Sequence, residues 1–153
     1  MEIILANTEQ EYEAAKQLFL AYQKYLGVDL CFQSFDKELN ELAQMYSTPK
    51  GALLLALEDG VYGGCVAVRY KKEGVCEMKR LYVMDNFKGK GLGRKLAVQI
   101  MAKAKELGYQ TMVLDTLNKL TAALQLYASL DFLEIPPYYE NPLEGVIYME
   151  KKL

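Results

Sequence analysis

A chain of 153 residues, 52% hydrophobic and 25% charged, can bury the core of one globular domain, expected to span 1–153, and its net charge of −2 gives no general reason to meet nucleic acid. The absence of histidine excludes Ser-His-Asp and Cys-His catalysis and the usual zinc sites, leaving Glu, Asp, Lys, Tyr and Cys to move protons, with no metal expected. Cys31, Cys65 and Cys76 lack metal spacing, the longest purely apolar run (Ala52 to Leu57) is far too short to cross a membrane, and no secretion signal is visible, so a cytoplasmic protein with reduced thiols is expected.

The chain begins with a strand over Glu2 to Ala6. Thr8-Glu9-Gln10-Glu11 then fits a capping box opening a helix with Tyr12, Ala15, Leu18, Phe19, Tyr22 and Leu26 on its inner face, closed by Gly27. A connection carrying Asp29, Cys31, Phe32 and Phe35 leads to a second helix over Asp36 to Met45, ended by Pro49-Lys50-Gly51. Ala52 to Glu58 and Val61 to Tyr70 form a hairpin, because Asp59-Gly60 supplies the positive φ angles of a two-residue turn. Val75 to Met84 is the third strand of this meander. Alternation puts Glu77, Lys79, Leu81 and Val83 on one face and Met78, Arg80 and Tyr82 on the other.

That strand runs through Asp85-Asn86 into a glycine cluster, Gly89, Gly91 and Gly93, and then a helix from about Gly91 to Leu107 with Leu92, Leu96, Ile100 and Ala104 at helical spacing. Lys88, Lys90, Arg94 and Lys95 crowd the start of this helix, where free backbone N–H groups are already partly positive, so each cation is unfavourable by about 0.3–1 kcal/mol unless an anion sits there. Glycines let a ligand approach the backbone and leave N–H groups pointing at it, and the combination predicts a phosphate site. The dinucleotide pattern GxGxxG fails, because Arg94 or Leu96 falls where its last glycine belongs, and the ATP-type loop GxxxxGK[ST] is absent.

Beyond Gly108, Tyr109 to Asp115 is a strand, Leu120 to Ser129 a short helix, and Phe132 to Ile135 another strand. The loop Pro136-Pro137-Tyr138-Tyr139-Glu140-Asn141-Pro142 precedes a last strand, Val146 to Lys151. Lys88-Gly89-Lys90-Gly91-Leu92-Gly93 resembles the (Gln/Arg)-x-x-Gly-x-(Gly/Ala) signature of the GNAT superfamily of acyl-CoA-dependent N-acetyltransferases, with Lys88 in place of Gln or Arg. Ala123-x-x-Leu126-Tyr127-x-x-x-Asp131-Phe132 resembles a second segment of that superfamily, with Asp131 where glycine is usual and Leu120 where a cofactor-contacting asparagine often stands. The element order is similar to the whole GNAT fold. It implies an α/β (α+β) architecture, a mixed, mostly antiparallel sheet of about six to seven strands with about four helices on both faces.

The resemblance also implies roles. Acetyl-CoA would be held by Lys88, Gly89, Lys90, Gly91, Leu92, Gly93 and Arg94 at its phosphates, and by the backbone of Leu81, Tyr82 and Val83 along its pantetheine arm, whose amides a strand can pair with. Tyr127 would give a proton to the departing sulfur, and Glu77 would take one from the amine, with Asp115 the second choice as base and water the acceptor if neither acts. Phe32, Phe35, Tyr46, Tyr138, Tyr139 and Asn141 would line the acceptor pocket. From the residues alone, a packed helical Tyr127, a solvated Glu77 and aromatics that serve only packing stay open. The implied activity is transfer of acetyl to a primary amine of a small molecule by direct attack in a ternary complex; the alternatives are a protein or peptide N-acetyltransferase and a non-catalytic acyl-CoA sensor. Homodimers are common in the superfamily.

Overall fold

The computed structural model describes the backbone of residues 1–153 and every side chain except that of Phe32. Strands β1 (Glu2–Leu5), β2 (Ala52–Glu58), β3 (Val61–Lys72) and β4 (Val75–Val83) form an antiparallel meander, joined by β5 (Thr111–Leu117), β6 (Leu133–Ile135) and β7 (Val146–Lys152) in one sheet of order β1-β2-β3-β4-β5-β7-β6. The β4/β5 pair alone is parallel among the described strands, because the chain crosses over through a helix between them. Helices α1 (Glu9–Leu26), α2 (Phe35–Asn40) and α3 (Leu42–Met45) cover one face. Helices α4 (Leu92–Glu106) and α5 (Thr121–Ser129) cover the other.

Local chemistry accounts for most of these boundaries. Thr8 Oγ1 accepts from the Glu11 N–H at 3.1 Å and Glu11 Oε1 accepts from the Thr8 N–H at 3.0 Å, so the expected capping box starts α1. Gly27 ends it at φ 69°. The single helix expected over Asp36 to Met45 is instead two, broken at Glu41 with φ −126°, which makes five α-helices where about four were expected. The break lets Glu38 turn inward from α2 while Leu42 packs against the α1 side of the sheet.

The larger correction concerns β4. Cys65 pairs with Tyr82 and Ala67 with Lys79, so Arg80 and Leu81 together oppose Val66 alone. Arg80 takes φ 61°, a left-handed conformation that a non-glycine residue adopts at a cost of about 1–2 kcal/mol. This β-bulge ends the simple alternation. Glu77, Lys79, Arg80 and Tyr82 face α1 and α2, whereas Met78, Leu81 and Val83 face α4 and α5.

The strained residue is clamped. Arg80 Nε and Nη2 donate to the two carboxylate oxygens of Glu38 at 3.0 and 2.8 Å, both side chains are buried, and the guanidinium lies 5.2 Å over the Phe35 ring. Removing one partner of such a pair leaves a buried charge uncompensated. Glu38→Gln is therefore expected to lower unfolding stability by about 3–5 kcal/mol, measured by urea denaturation, whereas Lys37→Gln, at an exposed position of the same helix, changes it by less than about 0.5 kcal/mol.

Candidate active site

β4 and β5 pair in register only from Val75/Thr111 to Glu77/Val113, and past that point the strands diverge. The bulge at Arg80 bends β4 away, and β5 follows β7, with which it pairs along its whole length. The opening holds a cavity of about 300 Å³. Leu81, Tyr82 and Val83 of β4 form one wall, Leu126 and Tyr127 of α5 the other, and Lys88 stands at the outer end. The edge of β4 that faces this opening has no strand beside it, so its backbone groups are free to pair with a ligand.

The loop into α4 is positioned by Gly63, where a side chain would collide with the Phe87 ring; the missing Cβ seats Phe87 on β3. Gly89 and Gly91 have φ 80° and 74°, and a Cβ at either would meet no atom within 4 Å, so the space above them is open to a ligand. Gly93 has ordinary helical geometry and packs toward Leu126 and Val83. The first backbone bond of α4 runs from Lys95 N–H to Gly91 C=O, and among the described residues the N–H groups of Leu92, Gly93 and Arg94 have no protein acceptor. The cations are less idle than their sequence positions imply. Lys88 pairs with Asp85 at 2.9 Å, Lys90 with Glu58 at 3.7 Å, and Arg94 Nη1 donates to Ser129 Oγ at 2.8 Å. These are exposed contacts of small worth that a polyphosphate can compete with.

Tyr127 is buried, with its ring edge against Phe132 at 5.7 Å, and among the described residues its hydroxyl has no protein partner. Burial pushes its pKa up, so at neutral pH it holds its proton and has one to donate. Tyr82 packs against Tyr22 and Tyr25 of α1, each at 5.8 Å, and Lys119 Nζ donates to the Leu26 carbonyl at 2.8 Å, tying the end of α1 to the β5–α5 connection.

The cavity continues inward as a polar recess of about 40 Å³ whose wall includes Gln33, Lys79, Arg80, Asp115 and Asn141. Tyr139 Oη donates to Asp115 Oδ2 at 2.6 Å and Asn141 Nδ2 to the same oxygen at 3.0 Å, which leaves Oδ1 free among the described residues. Lys79 Nζ donates to Gln33 Oε1 at 3.2 Å. Burial, with the charge of Arg80 adding to it, pushes the Lys79 ammonium down to about 8, while Glu77, Asp115 and Glu38 pull the other way.

Several expected site residues take other places. Glu77 is not solvated; it is 1% exposed, with Oε1 held by Arg69 Nε at 2.8 Å and Oε2 by the Tyr138 hydroxyl at 2.6 Å, and it lines neither the cavity nor the recess. Its pKa lies below the ordinary value, because Lys79, Arg69 and the Tyr138 hydrogen bond outweigh the larger opposing effect of burial. A low-pKa carboxylate with both oxygens engaged is a poor proton acceptor. Phe35 and Tyr46 are core residues beneath α1, where their apolar surface is fully used. Phe32 lies outside the described side chains. Of the Pro-Tyr loop, Asn141 reaches the recess, whereas Tyr138 and Tyr139 stand behind it and orient Glu77 and Asp115. Lys79, Gln33 and Tyr22 were missed. The signal for Lys79 was present, since three charges at Glu77, Lys79 and Arg80 are unusual in the middle of a sheet.

Comparison with known proteins agrees with this geometry. Residues 12–132 match the model of the "Acetyltransferase (GNAT) family". An uncharacterized N-acetyltransferase of Schizosaccharomyces pombe is 41% identical over 155 residues, covering 100% of this chain and 95% of that protein. A GNAT-family acetyltransferase from Staphylococcus aureus superimposes with a TM-score of 0.82 at 20% identity, over 99% of this chain and 98% of that one. The yncA acetyltransferase of Salmonella typhimurium, solved with its cofactor acetyl-CoA, does so with a TM-score of 0.73 at 22% identity, over 99% and 93%. The chain belongs to the GNAT family of acetyltransferases. It is an acyltransferase, and no helix among its described residues is long and apolar enough to cross a membrane.

The depressed pKa of Glu77 has a stability consequence. Its contribution is fully present above its ordinary value of 4.5 and is lost as pH falls through the lower folded-state value. Glu77→Gln is expected to cost about 1–3 kcal/mol at pH 7, with the gap to wild type closing below about pH 4 in a series of thermal melts. A gap that stays constant into acid would contradict the ionised, paired state of Glu77.

Proposed function

We propose that the protein transfers the acetyl group of acetyl-CoA to the primary amine of a small molecule by direct attack within a ternary complex. The observation that carries this is the pairing, in one cleft, of a Tyr127 hydroxyl and an Asp115 carboxylate oxygen that have no partner among the described residues. The residues present fit the cofactor. Open space above Gly89 and Gly91 and the partnerless N–H groups of Leu92 to Arg94 suit a pyrophosphate, and the unpaired edge of β4 at Leu81 to Val83 suits the amides of pantetheine.

Acetyl-CoA supplies the acetyl group as a thioester. The amine nitrogen forms the new C–N bond as the C–S bond breaks. Asp115, rather than Glu77, takes the proton that the amine loses, because it lines the cleft and keeps one carboxylate oxygen free among the described residues. Tyr127 donates its proton to the departing sulfur, and an N–H of the β4 backbone polarises the carbonyl. A covalent cysteine route is disfavoured: Cys65 and Cys76 are buried with pKa pushed up by burial, and hydrogen bonding to Asp29 raises that of the exposed Cys31. Three unpaired thiols are in keeping with a reducing, cytoplasmic setting. The acceptor is small because α1, the 3₁₀ turn Cys31–Gln33 and the Pro-Tyr loop close over the recess, leaving about 40 Å³ beyond the main cleft.

Tyr127→Phe removes only the hydroxyl. Turnover with acetyl-CoA and an accepted amine, followed as thiol release, should fall by about 10²- to 10⁴-fold while the dissociation constant of acetyl-CoA stays within about three-fold. Turnover unchanged in this variant would take Tyr127 out of the chemistry.

A further inference from the structure

The charges around the recess do not all cancel within the protein. Arg80 is matched by Glu38 and Glu77 by Arg69. Lys79 and Asp115 remain, of opposite sign, both at the wall shared by the cleft and the recess, and neither has an ion-pair partner among the described residues.

Lys79 is 7% exposed, yet among the described residues its ammonium, with three donors, makes one hydrogen bond, to the neutral amide of Gln33. Gln33 Nε2 in turn donates to Tyr139 Oη at 3.0 Å, and Tyr139 Oη donates to Asp115 Oδ2. This chain of neutral groups links the two charges while holding them apart. The charged groups that face Lys79 are Glu77 and Arg80 on its own strand, Asp115 on β5 and Glu38 on α2, and its own charge survives among them at neutral pH. A buried cation of this kind costs several kcal/mol, and a position serving only packing would hold an apolar side chain, as neighbouring Met78 does. The two donors of Lys79 and the Asp115 oxygen that have no partner among the described residues thus make a recess that is positive at one end and negative at the other.

We propose that the acceptor is an amine that also carries a carboxylate, an amino acid in the broad sense, with Lys79 binding the carboxylate and Asp115 facing the amine. This rests on the acetyl-transfer function proposed above. The recess selects by charge. A polyamine, an aminoglycoside or the side chain of a peptide lysine would set a cation, or no compensating anion, against Lys79, and a buried ammonium left without its anion is penalised. The volume of about 40 Å³ beyond the main cleft admits the acid group and little more.

The experiment is thiol release from acetyl-CoA with α-, β- and γ-amino acids, each beside its carboxamide and its decarboxylated amine, together with polyamines, aminoglycosides and lysine peptides. Wild type should prefer the best amino acid over its own carboxamide by about 10- to 100-fold in kcat/KM, the worth of a charge-assisted hydrogen bond. Lys79→Met should abolish that preference through the KM of the acid, and Lys79→Arg should restore part of it. Wild-type turnover of carboxamides, decarboxylated amines or polyamines equal to or above that of amino acids overturns the carboxylate anchor and leaves acetyl transfer standing. Acetyl-CoA binding without turnover of any amine overturns acetyl transfer itself, and the acceptor with it. The wild-type comparison needs no variant to fold.

Discussion

Everything distinctive in this molecule follows from one backbone residue held where it would not otherwise stay. Arg80 sits in β4 with a left-handed φ, and the bidentate contact from Glu38 keeps it there. A strand without that bulge would continue beside β5, bury its edge in backbone hydrogen bonds and leave no cleft. With it, β4 opens from β5 after three paired residues, and the freed edge becomes a surface a ligand can add to as another strand. The strain is of order 1–2 kcal/mol, and removing one partner of the clamp that opposes it costs about 3–5 kcal/mol.

The same bulge rearranges chemistry. By turning Arg80 to the side of Lys79 and Glu77, it concentrates three charged side chains under α1 and α2. Two of them are neutralised locally, and the remaining one stands against Asp115 across a recess bridged by Gln33 and Tyr139. The apolar side of the strand, Met78, Leu81 and Val83, meets α4 and α5, where Tyr127 and the open glycine loop stand. On the proposed reading, one strand has an acceptor face and a cofactor face, and the transfer takes place where the two meet.

Much of the architecture was legible from the chain. Most helical and strand periodicities, the Thr8 capping box and the glycine cluster depend on local sequence and appear where expected, apart from the helix broken at Glu41 and the bulge in β4; the parallel crossover and helices on both faces follow from the element order. Tyr127 and the loop from Lys88 to Arg94 were also visible, because motif spacing is local. The face assigned to Leu81, Arg80 and Tyr82 was not, since alternation holds only while a strand pairs residue for residue, and nothing local announces a left-handed arginine. The base role of Glu77 came only from the resemblance, and local sequence does not show that its partners come from β3 and from a loop sixty-one residues away. Phe35 and Tyr46 illustrate the same limit, because an aromatic near a site and an aromatic under it have identical sequence signatures.

The most direct test of this account is a crystal structure of the protein with acetyl-CoA bound. The account predicts the pyrophosphate on the N–H groups of Gly89 to Arg94, the pantetheine amides paired to the free edge of β4 at Leu81 to Val83, and the sulfur within hydrogen-bond reach of Tyr127. A cofactor seated elsewhere, or a β4 that closes onto β5 with Arg80 in an extended conformation, would contradict it.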